Sequence, residues 1–572
     1  MKIIDKKNSI LKNIFLLLKP YKNKIFISLF LSIIITILTT LSPLIAQRLI
    51  DKGIMPLNIH IALKLSLTII ILTTIEKFLS LYQSILHIDL RNKLYIYLQL
   101  NMLKKIFTLK INKFKESGFQ SIFDSINFDI DTIAEIADKN FLLTFMEIFK
   151  VVGGLVSLGI INPKLTFFIL FLIPIKSFVT NFLSKLKVKL FNALVISFED
   201  IGQWCEEILN GIREIKLWNL YSQKEFEYKQ LLLNKTSLEK RVQILDNIDD
   251  FSGNILEEII LNLIYIFGVV LALKEDITVG GIITFTMYSN IITSPLSSLI
   301  SIKYKFANIK PSIENYCDFL NQDEECLVKE LLPPNEVNKI IFKDVYLNFD
   351  NKIAMKNINL EFNKGEKIAF IGTNGSGKSS ILNLLLRFYS PSKGTILFND
   401  INIAEINLTE YRALFSVVSQ NTYLFNRSIK DNIDLYNQFT EEEIMNYCDK
   451  HGILHFINFL NKSKDGINSK VGMNGDKLSG GESQKISLLR ALLKDDRKIL
   501  ILDEATANYD IESEKIFNNI IANCTSYDFV FIISHRPEIL KHMDKIVLLD
   551  KGEIKCVDNY DYIVKNNLFK CD

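Results

Sequence analysis

The segment from residue 372 to residue 380 predicts a phosphate-binding loop, because it lies between a predicted buried strand (367–371) and a predicted helix (381–388). Its glycines allow backbone N–H groups to turn toward phosphate oxygens at the positive end of the helix dipole. Lys378 would place a positive charge on the β- and γ-phosphates, and the Ser379 hydroxyl would coordinate Mg²⁺. A glycine-rich turn that only caps a helix would not need this whole pattern. The loop consists of Gly372, Thr373, Asn374, Gly375, Ser376, Gly377, Lys378, Ser379 and Ser380.

A second apolar strand, predicted at 498–502, is followed by two adjacent carboxylates, Asp503 and Glu504. Ligands of open parallel sheets bind at the carboxyl ends of the strands, so both side chains are expected beside the phosphate loop. We expect Asp503 to orient the metal ion through water and Glu504 to accept the proton of an attacking water molecule. The alternative, a solvated acidic strand end, accounts poorly for a carboxylate pair that follows four apolar residues.

A third motif lies about a hundred residues after the phosphate loop. It consists of Leu478, Ser479, Gly480, Gly481 and Glu482, followed by Ser483, Gln484, Lys485, Ile486 and Ser487. With this motif, the chain from the phosphate loop to the C-terminus resembles the ATPase cassette of ABC transporters. The resemblance implies that Ser479 and Gly481 contact the γ-phosphate of ATP held by an opposite cassette, with Gly480 and Glu482 beside them. Two chains would then be needed for a complete site.

Four weaker matches occur in the order that the resemblance requires. Gln420 resembles the glutamine of the Q-loop, which contacts the nucleotide and the metal, and His535 resembles the switch histidine, which acts in catalysis with Lys378 and Glu504. Phe349 resembles the aromatic residue that stacks on adenine, and Asp510 resembles the D-loop aspartate. Each match is weak by itself. All four occur in the expected order around the phosphate loop and the signature motif, and this order supports the four assignments together.

The chain departs from the usual family pattern in several places. Glu482 replaces a glutamine, which suits a helix N-terminus but brings a negative charge near a nucleotide phosphate. Phe349 replaces the commoner tyrosine and loses a hydroxyl group. The D-loop segment 507–510 and the pair at 473–474, where exporters usually carry a glutamate, also differ. We expect these departures to alter communication between the cassette and the membrane helices rather than to remove the groups needed for hydrolysis.

Length and composition indicate what kind of protein positions these motifs. The chain has 572 residues, 48% of them hydrophobic, which is too long for one core and too apolar for an ordinary soluble enzyme. Its net charge of +3 is far below the basic excess expected for nucleic-acid binding. The seven cysteines contain no C-x-x-C pair, so neither a disulfide framework nor a zinc site is predicted.

Six apolar stretches are long enough to cross a membrane, which takes about 20 helical residues. The two long connections between them are rich in lysine and arginine and keep helical periodicity. They are therefore expected on the cytosolic side as helical extensions of the spans, with both termini also in the cytosol. The predicted spans are 25–46, 62–86, 141–161, 165–182, 251–273 and 280–302.

We therefore predict an all-α membrane domain of six helices at 1–310, a linker at 311–338 and an α/β P-loop ATPase cassette at 339–572. The membrane half resembles that of exporter-type half-transporters. This resemblance implies coupling helices near 118–131 and 199–211 that dock on cassettes.

The expected function is ATP-driven transport across a cell membrane, most simply the bacterial inner membrane. ATP and Mg²⁺ are the expected cofactors, and the expected partners are the lipid bilayer and a second half-transporter, either an identical or a related chain. The expected cargo is a peptide, a lipid or an amphipathic small molecule, moved outward by alternating access. Two alternatives stay open at this point, an import-direction transporter on the same fold and an ATP-gated channel or regulatory subunit.

Overall fold

The computed structural model describes residues 10–117, 119–274, 276–325, 329–349, 352–454, 465–494, 497–506 and 509–566. These residues form two compact units. The membrane unit comprises residues 1–107 and 117–322, and the cassette unit comprises residues 108–116 and 323–572. Residues 108–116 of the first long connection therefore belong to the cassette unit, although the residues on either side of them belong to the membrane unit.

The membrane unit is built from long helices. Of these, α3 has 50 residues and α9 has 52, so each extends about 75 Å, more than twice the thickness of a bilayer core. This length confirms the prediction that spans continue beyond the membrane as rods. The helices are α1 Ile10–Leu18, α2 Lys22–Arg48, α3 Ile59–Thr108, α4 Ile111–Ser117, α5 Phe119–Ala134, α6 Lys139–Ile161, α7 Pro163–Asn210, α8 Ile212–Leu217, α9 Tyr221–Ala272 and α10 Val279–Leu320.

Helices cover all six stretches predicted as spans, apart from the last residue of the fifth. Within the described residues, the segments Lys12–Ile54, Ile59–Thr108 and Tyr221–Ala272 are long and apolar enough to cross a membrane, and Val279–Thr293 is a shorter apolar segment. The total of six spans stays a prediction. The turn expected between the third and fourth stretches lies at Asn162, with a proline as the first residue of α7, where its missing N–H costs nothing.

Helix α10 packs against α2, α5, α6, α7 and α9 and so forms the centre of the membrane unit. Hydroxyl groups of α10 satisfy carbonyls of α2 around its internal Pro43: Thr284 donates to the Pro43 carbonyl at 3.1 Å, and Tyr288 donates to the carbonyl of Thr40. At the start of α10, Asp51 accepts hydrogen bonds from the Thr278 hydroxyl (2.7 Å) and the Gly280 N–H (3.0 Å). Interhelical hydrogen bonds of this kind supply specificity where lipid and side chains are equally apolar.

In both segments predicted as coupling helices the described residues are helical, apart from Gly211, and their coupling role stays a prediction. The predicted coupling helix at 199–211 is the last part of α7, which continues to Asn210, and the separate short helix is α8 at Ile212–Leu217. The other predicted coupling helix, 118–131, falls within α5 apart from residue 118, which lies outside the described residues. Helix α10 continues to Leu320, ten residues into the predicted linker, because its internal Pro311 does not end it.

The cassette unit is an α/β domain with two sheets. A four-stranded sheet has the order β2-β1-β4-β5, and a six-stranded sheet has the order β10-β9-β3-β8-β7-β6. The strands are β1 Lys339–Phe349, β2 Lys352–Asn363, β3 Lys367–Gly372, β4 Lys393–Phe398, β5 Ile401–Asn402, β6 Phe415–Val418, β7 Ile499–Asp503, β8 Phe529–Ile533, β9 Lys545–Asp550 and β10 Glu553–Asp558. The helices are α11 Lys378–Leu385, α12 Leu408–Ala413, α13 Ile429–Ile433, α14 Glu441–Lys450, α15 Gly480–Leu492, α16 Ile511–Ala522, α17 Pro537–Leu540 and α18 Tyr560–Lys565.

The central strands are apolar at nearly every position because both faces of the larger sheet are covered. In β7, Leu500 and Leu502 contribute to one apolar core, whereas Ile499 and Ile501 contribute to the core shared with the smaller sheet. Alternate residues of a strand point to opposite faces, so a strand buried on both sides has to be continuously apolar. This double burial holds the carboxyl ends of the strands rigidly in place.

Candidate functional site

Four neighbouring strands of the larger sheet bring the predicted site residues to one edge. The strands β3, β8, β7 and β6 are consecutive and parallel, with Phe370 paired to Ile533 and Ile533 paired to Asp503. The phosphate loop follows β3, His535 follows β8, the carboxylate pair ends β7, and Gln420 follows β6. The order of strands in space, which differs from their order in the chain, therefore assembles four distant motifs.

The phosphate loop connects β3 to α11, which begins at Lys378, three residues earlier than the sequence predicts. Gly372 has φ of +145°, and a Cβ there would lie 2.1 Å from the Leu549 carbonyl oxygen of β9. Gly377 caps the helix in the left-handed region, with φ of +106°. The turn after β9 supports the loop from outside, because the Gly552 N–H donates to the Ser376 carbonyl at 3.1 Å. Gly552 was not predicted to support the loop, since a two-residue turn carries no motif.

The interior of the loop fits an anion. Lys378 is 7% exposed, and its Nζ donates to the carbonyls of Gly372 (2.7 Å) and Thr373 (3.1 Å). Burial lowers the pKa of Lys378, and the negative charges of Glu504 and Asp503 oppose that shift. Ser376 is 1% exposed, and within the described part of the chain its hydroxyl has no hydrogen-bond partner. A buried hydroxyl without a partner is costly, and a phosphate oxygen in the loop would satisfy it.

The carboxylate pair lies beside the loop, as the sequence predicts. The Ser379 hydroxyl is near enough to Asp503 to act against the rise in the pKa of that carboxyl, so the hydroxyl and the carboxylate expected at the metal are neighbours. Burial and the neighbouring charge of Glu504 raise the pKa of Asp503. The Gln420 amide donates to Oε2 of Glu504 at 2.7 Å. A hydroxyl, a carboxylate and an amide oxygen are hard oxygen donors of the kind that Mg²⁺ takes.

Two further predicted residues lie at the margins of this site. His535 is half-buried in the segment after β8, between the strands that carry the loop and the carboxylates. Phe349 ends β1 and remains 38% exposed, with its ring edge-on to the Tyr389 ring at 4.9 Å between centroids. This leaves ring surface free to stack on a base. Tyr389, which fixes the orientation of Phe349, was not indicated by any sequence motif.

The signature motif forms the start of α15. The Ser479 hydroxyl accepts the Glu482 N–H at 3.2 Å, and the Glu482 carboxylate accepts the Ser479 N–H at 2.8 Å, which is a capping box. The unusual Glu482 therefore uses its carboxylate to cap its own helix. Asp510 caps α16 by accepting the Ser513 N–H at 3.0 Å, and it lies 3.9 Å from Lys485 of α15. This contact between the D-loop and the helix of the signature motif was not predicted. Residues 507–508 of the D-loop lie outside the described residues.

The structure does not bring the signature motif to the phosphate loop of the same chain. Helix α15 packs against α13 and the edge strand β6, whereas the loop follows β3, three strands away. Three inter-strand spacings amount to about 14 Å. Among the described residues, the side-chain hydrogen bonds of Ser479 and Glu482 stay within the first turn of α15. One chain thus carries two separate half-sites.

The fold and the site define a membrane protein whose helical unit is fused to a nucleotide-binding cassette. Residues 25–296 match the family model described as the ABC transporter transmembrane region, and residues 355–507 match the family model described as ABC transporter. Together these two regions span most of the chain. The chain belongs to the ABC transporter family, and its activity is ATP hydrolysis coupled to transport.

Curated relatives match the chain over nearly its whole length. It is 26% identical over 564 residues to the ATP-dependent lipid A-core flippase of Wigglesworthia glossinidia brevipalpis, covering 96% of this chain and 94% of that one. It is 28% identical over 552 residues to the leukotoxin translocation ATP-binding protein LktB of Mannheimia glucosida, covering 95% and 77%. A solved structure of a bacterial Atm1-family ABC exporter with ATP bound has a TM-score of 0.81 at 19% identity, covering 95% and 97%. This last similarity supports the exporter-type fold.

Proposed function

We propose that two copies of this chain bind ATP between their cassettes and export a peptide, a lipid or an amphipathic small molecule by alternating access. The observation that carries the proposal is the division of the nucleotide site. Lys378, Asp503, Glu504 and Gln420 meet at one edge of the sheet, whereas Ser479 begins a helix that packs three strands away. A second chain is needed to complete such a site.

Each group of the first half-site has a role that its contacts support. Glu504 accepts the proton of the attacking water, and Gln420 holds its carboxylate through the 2.7 Å hydrogen bond. Ser379, Asp503 and Gln420 would hold Mg²⁺, which when bound neutralises charge on the phosphates. Lys378 exchanges its two loop carbonyls for the β- and γ-phosphates, and Phe349 stacks on the adenine. His535 contacts the γ-phosphate from the neighbouring strand end.

The second half-site would come from the partner. Ser479 and Gly481 begin α15, so their N–H groups meet a γ-phosphate at the positive end of the helix dipole. Because every one of these residues is present in the chain, two identical copies make two complete sites, and we propose a homodimer. Asp510 lies 3.9 Å from Lys485 of α15. Through this contact it would signal to one nucleotide site whether the other site holds ATP.

The export direction is supported by the names of the relatives, one a flippase for lipid A-core and the other a translocator of leukotoxin. The distribution of lysine and arginine in the long connections supports a cytosolic cassette and cytosolic termini, with the protein in the bacterial inner membrane. An ATP-gated channel is less well supported, because a protein that only opens and closes with ATP would not need both Glu504 and His535. Import on the same fold would be distinguished by the side of the membrane from which cargo is taken.

The experiment compares Glu504→Gln with the parent after reconstitution in liposomes. The amide keeps an oxygen to accept the hydrogen bond from Gln420, but it cannot take up a proton. Phosphate release is expected to fall by about 10²–10⁴-fold, while ATP binding and ATP-dependent association of the cassettes persist. Glu361→Gln is the matched control, since this exposed carboxylate of β2 pairs with Lys339 and lies outside the site. Phosphate release at the parental rate from Glu504→Gln would reject the assignment.

A further inference from the structure

A partly buried ion pair lies within the cassette unit, at the segment that follows the last membrane helix. Glu325, five residues after the end of α10, accepts two hydrogen bonds from Arg412, one from each terminal nitrogen, at 2.8 and 2.9 Å. The side chain of Glu325 is 10% exposed. A bidentate, charge-assisted pair with this burial holds its two backbones in one geometry, unlike an exposed pair that is screened by water.

Arg412 also contacts the C-terminal end of α11, the helix that follows the phosphate loop. Its guanidinium donates to the carbonyls of Leu386 (3.2 Å) and Arg387 (3.1 Å), directly after α11, and lies 4.8 Å from the Phe388 ring centroid. Helix α11 has eight residues, so Arg412 is about 12 Å along a rigid rod from Lys378. A cation at the C-terminal end of a helix also interacts favourably with its dipole.

Arg412 is connected to Gln420 as well. It belongs to α12, which ends at Ala413, and β6 runs from Phe415 to Val418 before Gln420. A change at the nucleotide can move α11 or β6. Either movement displaces the Arg412 guanidinium, through its hydrogen bonds to the end of α11 or through α12, which precedes β6.

On the Glu325 side of the pair, backbone hydrogen bonds hold residues 324 and 325 to the segment at 108–109. The Glu325 N–H donates to the Thr108 carbonyl at 2.7 Å, and Glu324 forms an antiparallel bridge with Leu109. In the membrane unit, the last turn of α10 is held separately, because Tyr316 donates to the Leu98 carbonyl of α3 at 3.0 Å. Five residues span at most about 17 Å, so the end of α10 and Glu325 always stay within that distance of each other.

We infer that the Glu325–Arg412 pair is a positioning contact that transmits nucleotide-dependent movement of α11 and β6 to helix α10. This role rests on the proposed function, because it requires that ATP closure of the cassettes drives rearrangement of the membrane helices. Glu325 touches neither nucleotide nor metal ligand in this arrangement. Loss of the pair should therefore separate hydrolysis from the membrane response rather than abolish hydrolysis.

The test uses the full-length protein in lipid nanodiscs and the variants Glu325→Gln and Glu325→Asp. Asp323→Asn is the matched control, because Asp323 lies in the same segment and pairs with Lys110 at 3.3 Å, with both side chains exposed. ATP hydrolysis is measured together with hydrogen exchange of the peptides 49–54 and 279–282, which contain the Asp51–Gly280 contact, with and without ATP plus orthovanadate. Exchange at these amides reports opening of the membrane unit without requiring knowledge of the cargo.

In the parent and in Asp323→Asn, ATP with orthovanadate should change exchange at both peptides. In Glu325→Gln, hydrolysis should stay within about threefold of the parent while at least half of that exchange response is lost, and Glu325→Asp should recover part of it because the charge is kept. The inference is overturned if Glu325→Gln responds like the parent, or if hydrolysis and response fall together, as general damage to the cassette would cause. A parent that hydrolyses ATP with no response in either peptide would instead reject the proposed alternating access.

Discussion

Replacing Gly372 by alanine should damage the cassette far more than replacing Gly375, although both glycines belong to the phosphate loop. At Gly372 (φ +145°) an added Cβ would lie 2.1 Å from the Leu549 carbonyl oxygen and 2.8 Å from Ser376 Oγ. At Gly375 (φ +80°) an added Cβ would meet nothing within 4 Å. The two variants therefore share an unfavourable backbone angle and differ in the collision with strand β9.

The expected magnitudes follow from these two contributions. A non-glycine residue at such a backbone angle costs about 1–2 kcal/mol, which is the whole expected effect of Gly375→Ala. At Gly372 the end of β3 must also move about 1 Å from β9 to restore an ordinary contact, and this weakens the ladder in which Gly372 is paired with Leu549. A lost buried hydrogen bond and disturbed packing add about 2–3 kcal/mol, so Gly372→Ala should cost about 3–5 kcal/mol.

Hydrogen exchange of the nucleotide-free protein measures this difference directly. Amides of β3 and β9 should exchange about 30–150-fold faster in Gly372→Ala than in Gly375→Ala, because each 1.4 kcal/mol corresponds to a factor of ten. The exchange of β1 and β2 in both variants serves as an internal reference. Protection of β3 in Gly372→Ala within about threefold of that in Gly375→Ala would refute the argument from the β9 collision.

Three further predictions concern a cap, an interhelical contact and an ion pair. Glu482→Gln should change the stability of the cassette by less than about 1 kcal/mol in denaturant unfolding, because its amide oxygen can still accept the Ser479 N–H, whereas Ser479→Ala should cost about 1 kcal/mol. Asp51→Ala removes the acceptor for the Gly280 N–H, so the first amides of α10 should exchange at least about tenfold faster, and an unchanged rate would contradict that contact. Burial acts to raise the pKa of Glu366, but hydrogen bonds from Lys545 and Asn363 outweigh it and lower that pKa. The parent should therefore lose stability as the pH falls below the ordinary glutamate range, and Glu366→Gln should lose less over that window in unfolding measured across pH.

Much of the cassette could be predicted from sequence because its signals are local. The phosphate loop is a continuous segment whose glycines, lysine and serine each serve a neighbouring backbone turn, so its spacing alone identified it. Strands such as β7 and β8 are buried on both faces, and their continuous apolar runs marked their limits. The membrane half was predicted as helical for the same reason, since apolar residues over a bilayer's length leave no other way to satisfy the backbone.

Residues whose importance depends on distant partners could not be found in this way. Gly552 supports the phosphate loop across a gap of more than 170 residues, and Tyr389 orients Phe349 through a ring contact. The end of α7 at Asn210 and the separate short helix α8 after it were not predicted either. Helical periodicity does not reveal where a rod ends when both sides of the boundary favour helix.

By itself, the sequence determined the chemistry that the chain carries: a loop for phosphates, two carboxylates after a strand, and enough apolar helix to lie in a membrane. Only the tertiary structure decided which of these groups meet. The order of β3, β8, β7 and β6 brings Gln420 into contact with Glu504 and leaves Ser479 three strands from the phosphate loop. The fold also pairs Glu325 of the linker with Arg412. The reason is physical, because side-chain types and local spacing are written along the chain, whereas strand order and helix packing depend on the burial of all segments at once.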